Sequence, residues 1–209
     1  MTLDQLEQAD INLFWWINQH HCLVSDWVLW FFSQAWAWVI VLTTAYYFTC
    51  IRKERHNWWV VFLAIGLCFL LSDRVSVLCF KNVFCRLRPC HALEGVRMFY
   101  THCGGQYGFV SSHASNAFCV AMFLTLRWHN KLREGAYATH GPWRWLFPLL
   151  MFLWAAVMCY SRPYLGKHYP GDVICGTLVG LPLGVLTFFI VQAIENRVIN
   201  PIREKKFQK

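Results

Sequence analysis

The sequence is poor in charge. Only 14% of its 209 residues are Asp, Glu, Lys or Arg, where soluble domains carry about 25%. Proline and glycine are also few, 7 and 12 residues, and they are nowhere gathered into a linker. These shortages exclude an ordinary soluble domain and a chain divided by a flexible tether, so one domain over 1–209 is expected. Lys and Arg are missing before Arg52. The positive start of a cleavable signal peptide is therefore lacking, and targeting is expected to come from the apolar segments themselves. There is no internal repeat. The 10 cysteines make no zinc pattern: Cys85 and Cys90 are not a C-x-x-C, and no second pair is spaced to match.

What is abundant is apolar and aromatic: 57% hydrophobic residues and 12 tryptophans. Five segments have the length and apolarity of membrane spans, at 27–49, 58–80, 112–126, 145–160 and 173–194. Aromatic residues stand at most of their ends, as interfacial belts require. Ahead of them, within 1–22, Leu3, Leu6, Ile11, Leu13, Phe14 and Ile17 alternate with Asp4, Glu7 and Asp10. That pattern fits an amphipathic helix lying along the interface, too polar to span. The expected fold is all-α: a polytopic membrane helix bundle with five transmembrane helices plus that interfacial helix. Joining the interfacial segment to Cys22–Trp30 gives six spans as the competing count. The third span, at 112–126, is short. A helix that begins below the surface, at the floor of a polar cavity, would explain it, as would the tilt of longer neighbours. Cys68, Cys79, Cys119, Cys159 and Cys175 lie within or at the ends of spans and read as small apolar residues. Cys85, Cys90 and Cys103 share one loop, where an oxidising compartment allows a disulfide.

Charge sets the expected orientation. Arg52, Lys53, Arg55, Arg127, Lys131, Arg133, Arg144, Arg197, Arg203, Lys205, Lys206 and Lys209 fall in loops on one side or after the last span. By the positive-inside rule that side is cytoplasmic, which puts the amino terminus outside. Most of the net charge of +8 is accounted for by these flanks. They favour anionic lipid headgroups and give no reason to expect nucleic acid. Lys81, Arg86, Arg88, Arg97, Arg162 and Lys167 lie in the two loops on the opposite side, 81–111 and 161–172, against the trend. Snorkelling would explain any one of them; six require another reason.

Three segments bring chemistry to that outer side. The first is Lys81-Asn82-Val83-Phe84-Cys85-Arg86-Leu87-Arg88-Pro89. Lys81 and Arg88 would share a helix face if the helix continued, but Pro89 opposes continuation. In the second, Ser111-Ser112-His113 leads into an apolar helix. Either serine is a natural N-cap, and the free amides of such a start attract an anion. The third segment runs from Ser161 and Arg162 through Lys167 and His168 to Asp172. Pro170 suits a first helical residue and places Asp172 in the first turn, where its carboxylate can fix the tautomer of His168. An arginine fork suits phosphate oxygens.

The three segments resemble the signature of the type 2 phosphatidic acid phosphatase superfamily: Lys-x6-Arg-Pro, Pro-Ser-Gly-His, and Ser-Arg-x5-His-x3-Asp. The first matches at Lys81, Arg88 and Pro89, the third at Ser161, Arg162, His168 and Asp172. The second departs from it, with Val110 in place of Pro and Ser112 in place of Gly, while Ser111 and His113 match. The resemblance implies a membrane phosphatase. His168 attacks phosphorus to form a phosphohistidine, Asp172 orients it, and His113 protonates the leaving oxygen. Lys81, Arg88, Arg162, Ser111 and the amides near Ser112 hold the phosphoryl oxygens. It implies no metal and no other cofactor, since the cations supply the charge and a double-carboxylate site is absent. Its partner is a lipid phosphate or pyrophosphate in the membrane. Undecaprenyl pyrophosphate and a lipid A phosphate are the preferred substrates, phosphatidate or phosphatidylglycerol phosphate next. A lipid-to-lipid phosphotransferase and a non-catalytic lipid binder are the competing functions. Arg86, Arg97, Lys167 and His102 are rim candidates for a headgroup or second phosphate. Tyr164 and Gly166 are expected to shape the loop. Asp73 and Arg74, costly in lipid, are expected to face protein or a cavity; Arg74, on a face similar to that of Lys81, fits either a place beneath the site or a structural ion pair with another helix.

Overall fold

The computed structural model describes residues 2–46, 58–133 and 142–201. Of the residues used above for orientation, Arg52, Lys53, Arg55, Arg203, Lys205, Lys206 and Lys209 lie outside these, as does the end of the 27–49 segment. The described chain is helical. Helix α1, Leu3–Gln19, begins at Thr2 with a reciprocal cap: the Gln5 amide donates to Thr2 Oγ1 (3.3 Å) and the Thr2 amide to Gln5 Oε1 (3.0 Å). Its buried face, Phe14, Ile17 and Asn18, packs on later helices, while Leu3, Leu6, Leu13 and Trp16 stay exposed. This is the expected amphipathic element.

The segment expected as a single first span is two helices, α2 (Leu23–Ser33) and α3 (Ala35–Tyr46), bent by 68°. Neither Gly nor Pro marks the break. Ser33 Oγ donates to the Trp30 carbonyl at 2.8 Å and Gln34 Nε2 reaches the same oxygen at 3.3 Å, while Gln34 itself is extended. Side chains that hydrogen-bond to helix carbonyls give the backbone an alternative to the helical ladder.

Helix α4, Trp58–Val75, continues through a π-helical turn, Ser76–Lys81, into the short α5, Asn82–Phe84. Cys85, left-handed at φ 47°, stops it, and α6, Pro89–Ala92, follows. Helix α7 is Ser112–Arg133, α8 Trp143–Tyr164, and α9 Pro170–Ile194. Among the described residues, three helices are long and apolar enough to span a membrane singly, Trp59–Phe84, Arg144–Tyr164 and Pro170–Ile199, and the α2–α3 pair qualifies as one bent span. The count of five spans is thus not reached among the described residues, where three or four qualify by length and apolarity. The third expected span is α7, 22 residues long rather than short, with polar residues at both ends. It is the central helix, packed against α4, α8 and α9, so it needs less apolar surface than a helix facing lipid.

Helices α7 and α9 are in backbone contact. A Cβ added at Gly176, Gly180 or Gly184 would stand 2.6, 2.3 and 2.4 Å from the carbonyl oxygens of Ser111, Ser115 and Cys119. Small residues every fourth position permit this approach. Ser72 Oγ and Ser115 Oγ, 2.6 Å apart, join α4 to α7. The starts of α7 and α9 and the end of α4 thus share one end of the bundle.

Candidate active site

Three helix ends converge there. At the close of α4, the wider π turn shifts the register between Arg74 and Lys81. Lys81 turns inward, its Nζ donating to Ser112 Oγ at 2.7 Å. Asp73 and Arg74 are exposed on the outer surface of the bundle. Asp73 is close enough to Lys81 for its charge to act on that ammonium.

Beyond Cys85 the loop folds back on itself. The Arg88 amide donates to the Gln106 carbonyl at 3.1 Å, the Gly108 amide to the Arg86 carbonyl at 2.8 Å, and Leu87 and Tyr107 form an antiparallel bridge. Arg88 thus reaches the site from a loop, not from a helix shared with Lys81. Its Nε donates to the Tyr107 carbonyl (3.3 Å) and its Nη1 to that of Cys103 (3.4 Å). A disulfide joins Cys90 to Cys103 and closes the loop, leaving Cys85 free. Phe109, against Phe84 and Phe80, pins the far limb to the end of α4.

At the start of α7 the Ser111 amide donates to the Asp172 carbonyl at 3.0 Å, which ties α7 to the first turn of α9. Ser111 Oγ does not cap the helix. It is buried with no hydrogen-bond partner among the described residues. His113 lies in the first turn of α7, with Trp38 of α3 beside it at 6.3 Å between rings.

The stretch from Ser161 to Asp172 closes the site. Gly166, at φ 76°, turns the chain where a Cβ would meet Val96 at 2.7 Å and the Arg97 carbonyl at 2.9 Å. Pro170 opens α9, as expected. Arg162 is 2% exposed, yet its Nε and Nη1 have no acceptor among the described residues. His168 is 1% exposed and its Nδ1 stands 3.4 Å from Asp172 Oδ2, longer than a formed hydrogen bond. Burial, with Arg88, Arg162 and Lys81 nearby, holds the His168 imidazole well below its usual pKa and favours its neutral form. Burial, then Arg162 and Arg88, lowers the Lys167 ammonium to about 8.

The arrangement is a cluster of buried cations and unpartnered donors around a neutral histidine. Buried donors without acceptors cost about 1–3 kcal/mol each, and they persist where a ligand supplies the acceptor. The donor set fits an anion with several oxygens.

Two rim candidates are paired with carboxylates. Arg86 bonds Asp172 Oδ1 through Nη1 (2.9 Å) and Asp10 Oδ2 through Nη2 (2.8 Å). Arg97 makes a two-point contact with Asp26, at 2.9 and 2.6 Å. Tyr164 Oη also donates to Asp26 (2.6 Å), and Asn18 Nδ2 bonds the carbonyls of Tyr164 and Arg97 at 3.0 Å each. Tyr164 and Gly166 thus shape the loop as expected. His102 is exposed; Lys167 remains beside the cations. The residues not foreseen are Asp10, Asp26, Asn18 and Gly108. A Cβ on Gly108 would come 3.0 Å from Asp172 Oδ2 and 3.5 Å from His168 Nδ1. Only the glycine repeat of α9, G-x-x-x-G-x-x-x-G, was a signal legible in the sequence.

Comparison with known proteins agrees with this geometry. The PAP2 superfamily model matches residues 57–196, so the chain belongs to the PAP2 superfamily. A lipid A 4'-phosphatase of Porphyromonas gingivalis is 30% identical over 185 residues, 87% of this chain and 72% of that protein. A lipid A 4'-phosphatase of Bacteroides thetaiotaomicron is 28% identical over 203 residues, 94% and 83% of the two chains. The crystal structure of the first transmembrane PAP2 type phosphatidylglycerolphosphate phosphatase, from Bacillus subtilis, shares the fold with a TM-score of 0.63 at 18% identity, covering 93% of this chain and 88% of that one.

Proposed function

We propose that this member of the PAP2 superfamily removes a phosphate monoester from lipid A at the outer face of a bacterial inner membrane, with the carboxyl terminus in the cytoplasm. The observation that carries the reading is Arg162: a buried guanidinium whose Nε and Nη1 have no acceptor among the described residues, close enough to His168 for its charge to act on the imidazole.

His168 Nδ1 faces Asp172, so Nε2 is the attacking atom. The Nε2–P bond forms as the P–O bond to the lipid breaks, and His113 gives its proton to the departing oxygen. Water then attacks phosphorus and the N–P bond breaks. His113 takes a proton from the water, and inorganic phosphate leaves. Arg88, Arg162 and Lys81 hold the equatorial oxygens, where charge grows in the transition state. Substrate charge also offsets the repulsion that the cation cluster imposes on a protonated His113.

A monoester is favoured over a pyrophosphate because Arg86 and Arg97 are committed to carboxylates. Lys167 is the cation left for a second phosphate, and it keeps undecaprenyl pyrophosphate as the second reading. The deciding experiment compares kcat/KM of the purified protein on lipid A, undecaprenyl pyrophosphate, phosphatidate and phosphatidylglycerol phosphate, with labelled phosphate followed to its product. Lipid A is expected to rank first with label released as inorganic phosphate. Label passed to a second lipid would make the protein a phosphotransferase, and a higher rank for undecaprenyl pyrophosphate would replace the substrate.

A further inference from the structure

Asp10 belongs to the interfacial helix, ahead of every segment that carries the phosphoryl site, yet its carboxylate is bonded into it. Oδ2 pairs with Arg86 Nη2 at 2.8 Å and Oδ1 accepts the Gly171 amide at 2.7 Å. Gly171 lies in the first turn of α9, and a Cβ there would stand 2.8 Å from Asp10 Oδ2, so the approach depends on glycine. Arg86 lies over the Tyr169 ring at 4.1 Å and gives its other terminal nitrogen to Asp172 Oδ1 at 2.9 Å. Burial works against the Arg86 charge, but Asp172 and Asp10 more than offset it and raise its pKa.

We infer that Asp10 is a positioning residue for the nucleophile: by holding half of the Arg86 fork, it leaves Asp172 Oδ2 open to His168. A guanidinium facing a lone carboxylate binds both of its oxygens. Asp172 is instead gripped through Oδ1 alone, because Arg86 Nη2 is taken by Asp10. Its Oδ2 accepts the Tyr169 amide at 3.0 Å and points to His168 Nδ1 at 3.4 Å. Without Asp10, Arg86 can rotate both terminal nitrogens onto Asp172 and compete with the histidine for Oδ2. Asp10 reaches no substrate atom, so its loss acts on attack and not on binding.

This rests on the phosphohistidine reading of His168, and the test keeps the two apart. The full-length protein in mixed micelles is assayed on lipid A as wild type, Asp10→Asn, Asp10→Glu, Arg86→Gln, the Asp10→Asn/Arg86→Gln double variant and His168→Ala. Asp10→Asn is expected to lower kcat by about 10- to 100-fold, as misorientation of a reacting group does, with KM within about twofold of wild type. Asp10→Glu should recover most of the loss, and the double variant should be no slower than Arg86→Gln, since both changes act through one guanidinium. Wild-type kcat in Asp10→Asn, or losses that multiply in the double variant, overturns the inference. So does a Glu variant as slow as Asn, since it makes Asp10 only a structural anchor. Turnover by His168→Ala would instead overturn the reading beneath it.

Discussion

Two buried arginines stand at opposite ends of the bundle. Arg127, towards the end of α7, is bonded by both terminal nitrogens to Glu195, through Nη2 to Oε1 at 2.7 Å and through Nη1 to Oε2. Although expected as a cytoplasmic flank, it is turned into the protein. Arg162, at the end of α8, is as deeply buried, but Nε and Nη1 have no acceptor among the described residues. The fold answers one charge with a carboxylate and leaves two donors of the other without an acceptor among the described residues. Burial alone thus does not tell a structural arginine from a binding one; what is bonded to it does.

The largest test of this contrast is at the nucleophile. His168→Ala is expected to cut phosphate release by on the order of 10⁴-fold or more, while thermal unfolding in detergent stays near wild type. Retained turnover would leave the outer cluster as a binding site without covalent chemistry. Next is His113. His113→Ala should slow lipid esters, whose alkoxide leaves poorly, by about 10²–10⁴-fold, and aryl phosphates with good leaving groups far less. Equal losses on both would remove its acid role.

The arginines themselves can then be exchanged for methionine. Arg162→Met should lower kcat/KM by about 10²–10³-fold, as loss of a transition-state donor does, with Tm unchanged or higher because an unanswered buried charge is gone. Arg127→Met should do the reverse: near-normal kcat in the folded fraction, and a loss of about 3–5 kcal/mol in stability, because Glu195 is left buried without its partner. If both variants lose stability and keep activity, the contrast is false.

The end of the bundle that carries the three motifs was more legible in the sequence than the rest, and the reason is physical. A family signature fixes side chains at set spacing, so the motifs around Lys81, Arg88, Ser111, His113, Arg162, His168 and Asp172 pointed to the superfamily, and Pro170 marked a helix start. Packing constraints are softer. The break at Gln34 comes from two side-chain bonds to one carbonyl, which composition does not signal. The π turn before Lys81 looks like ordinary apolar helix, so the shift of register between Arg74 and Lys81 is not legible in the sequence. Arg86 and Arg97 read as rim cations because their partners, Asp10 and Asp26, are 76 and 71 residues away in the chain. A carboxylate that distant is invisible to any local pattern. Central α7 failed as an apolar span because its neighbours, not lipid, cover it.

The smallest expected effect concerns Lys167, whose ammonium is lowered to about 8 by burial and by Arg162 and Arg88. Unlike Arg127 it has no carboxylate partner among the described residues, and on the proposed function its charge is available to an incoming anion. Two consequences run in opposite directions. The folded protein holds this proton less tightly than the unfolded chain does, whose lysine titrates near 10.4. Its cost is therefore present below about pH 8 and relieved as pH rises towards the unfolded value, so its contribution to stability improves with pH across that interval. Anion binding needs the protonated form, so kcat/KM should fall over the same rise, through KM more than kcat. The measurement is the difference between wild type and Lys167→Met in both quantities from pH 7 to 10, which cancels other titrating groups. Wild type should lose its kcat/KM advantage as its stability deficit closes. Parallel slopes for the two proteins would place Lys167 away from the substrate and return it to the solvent rim.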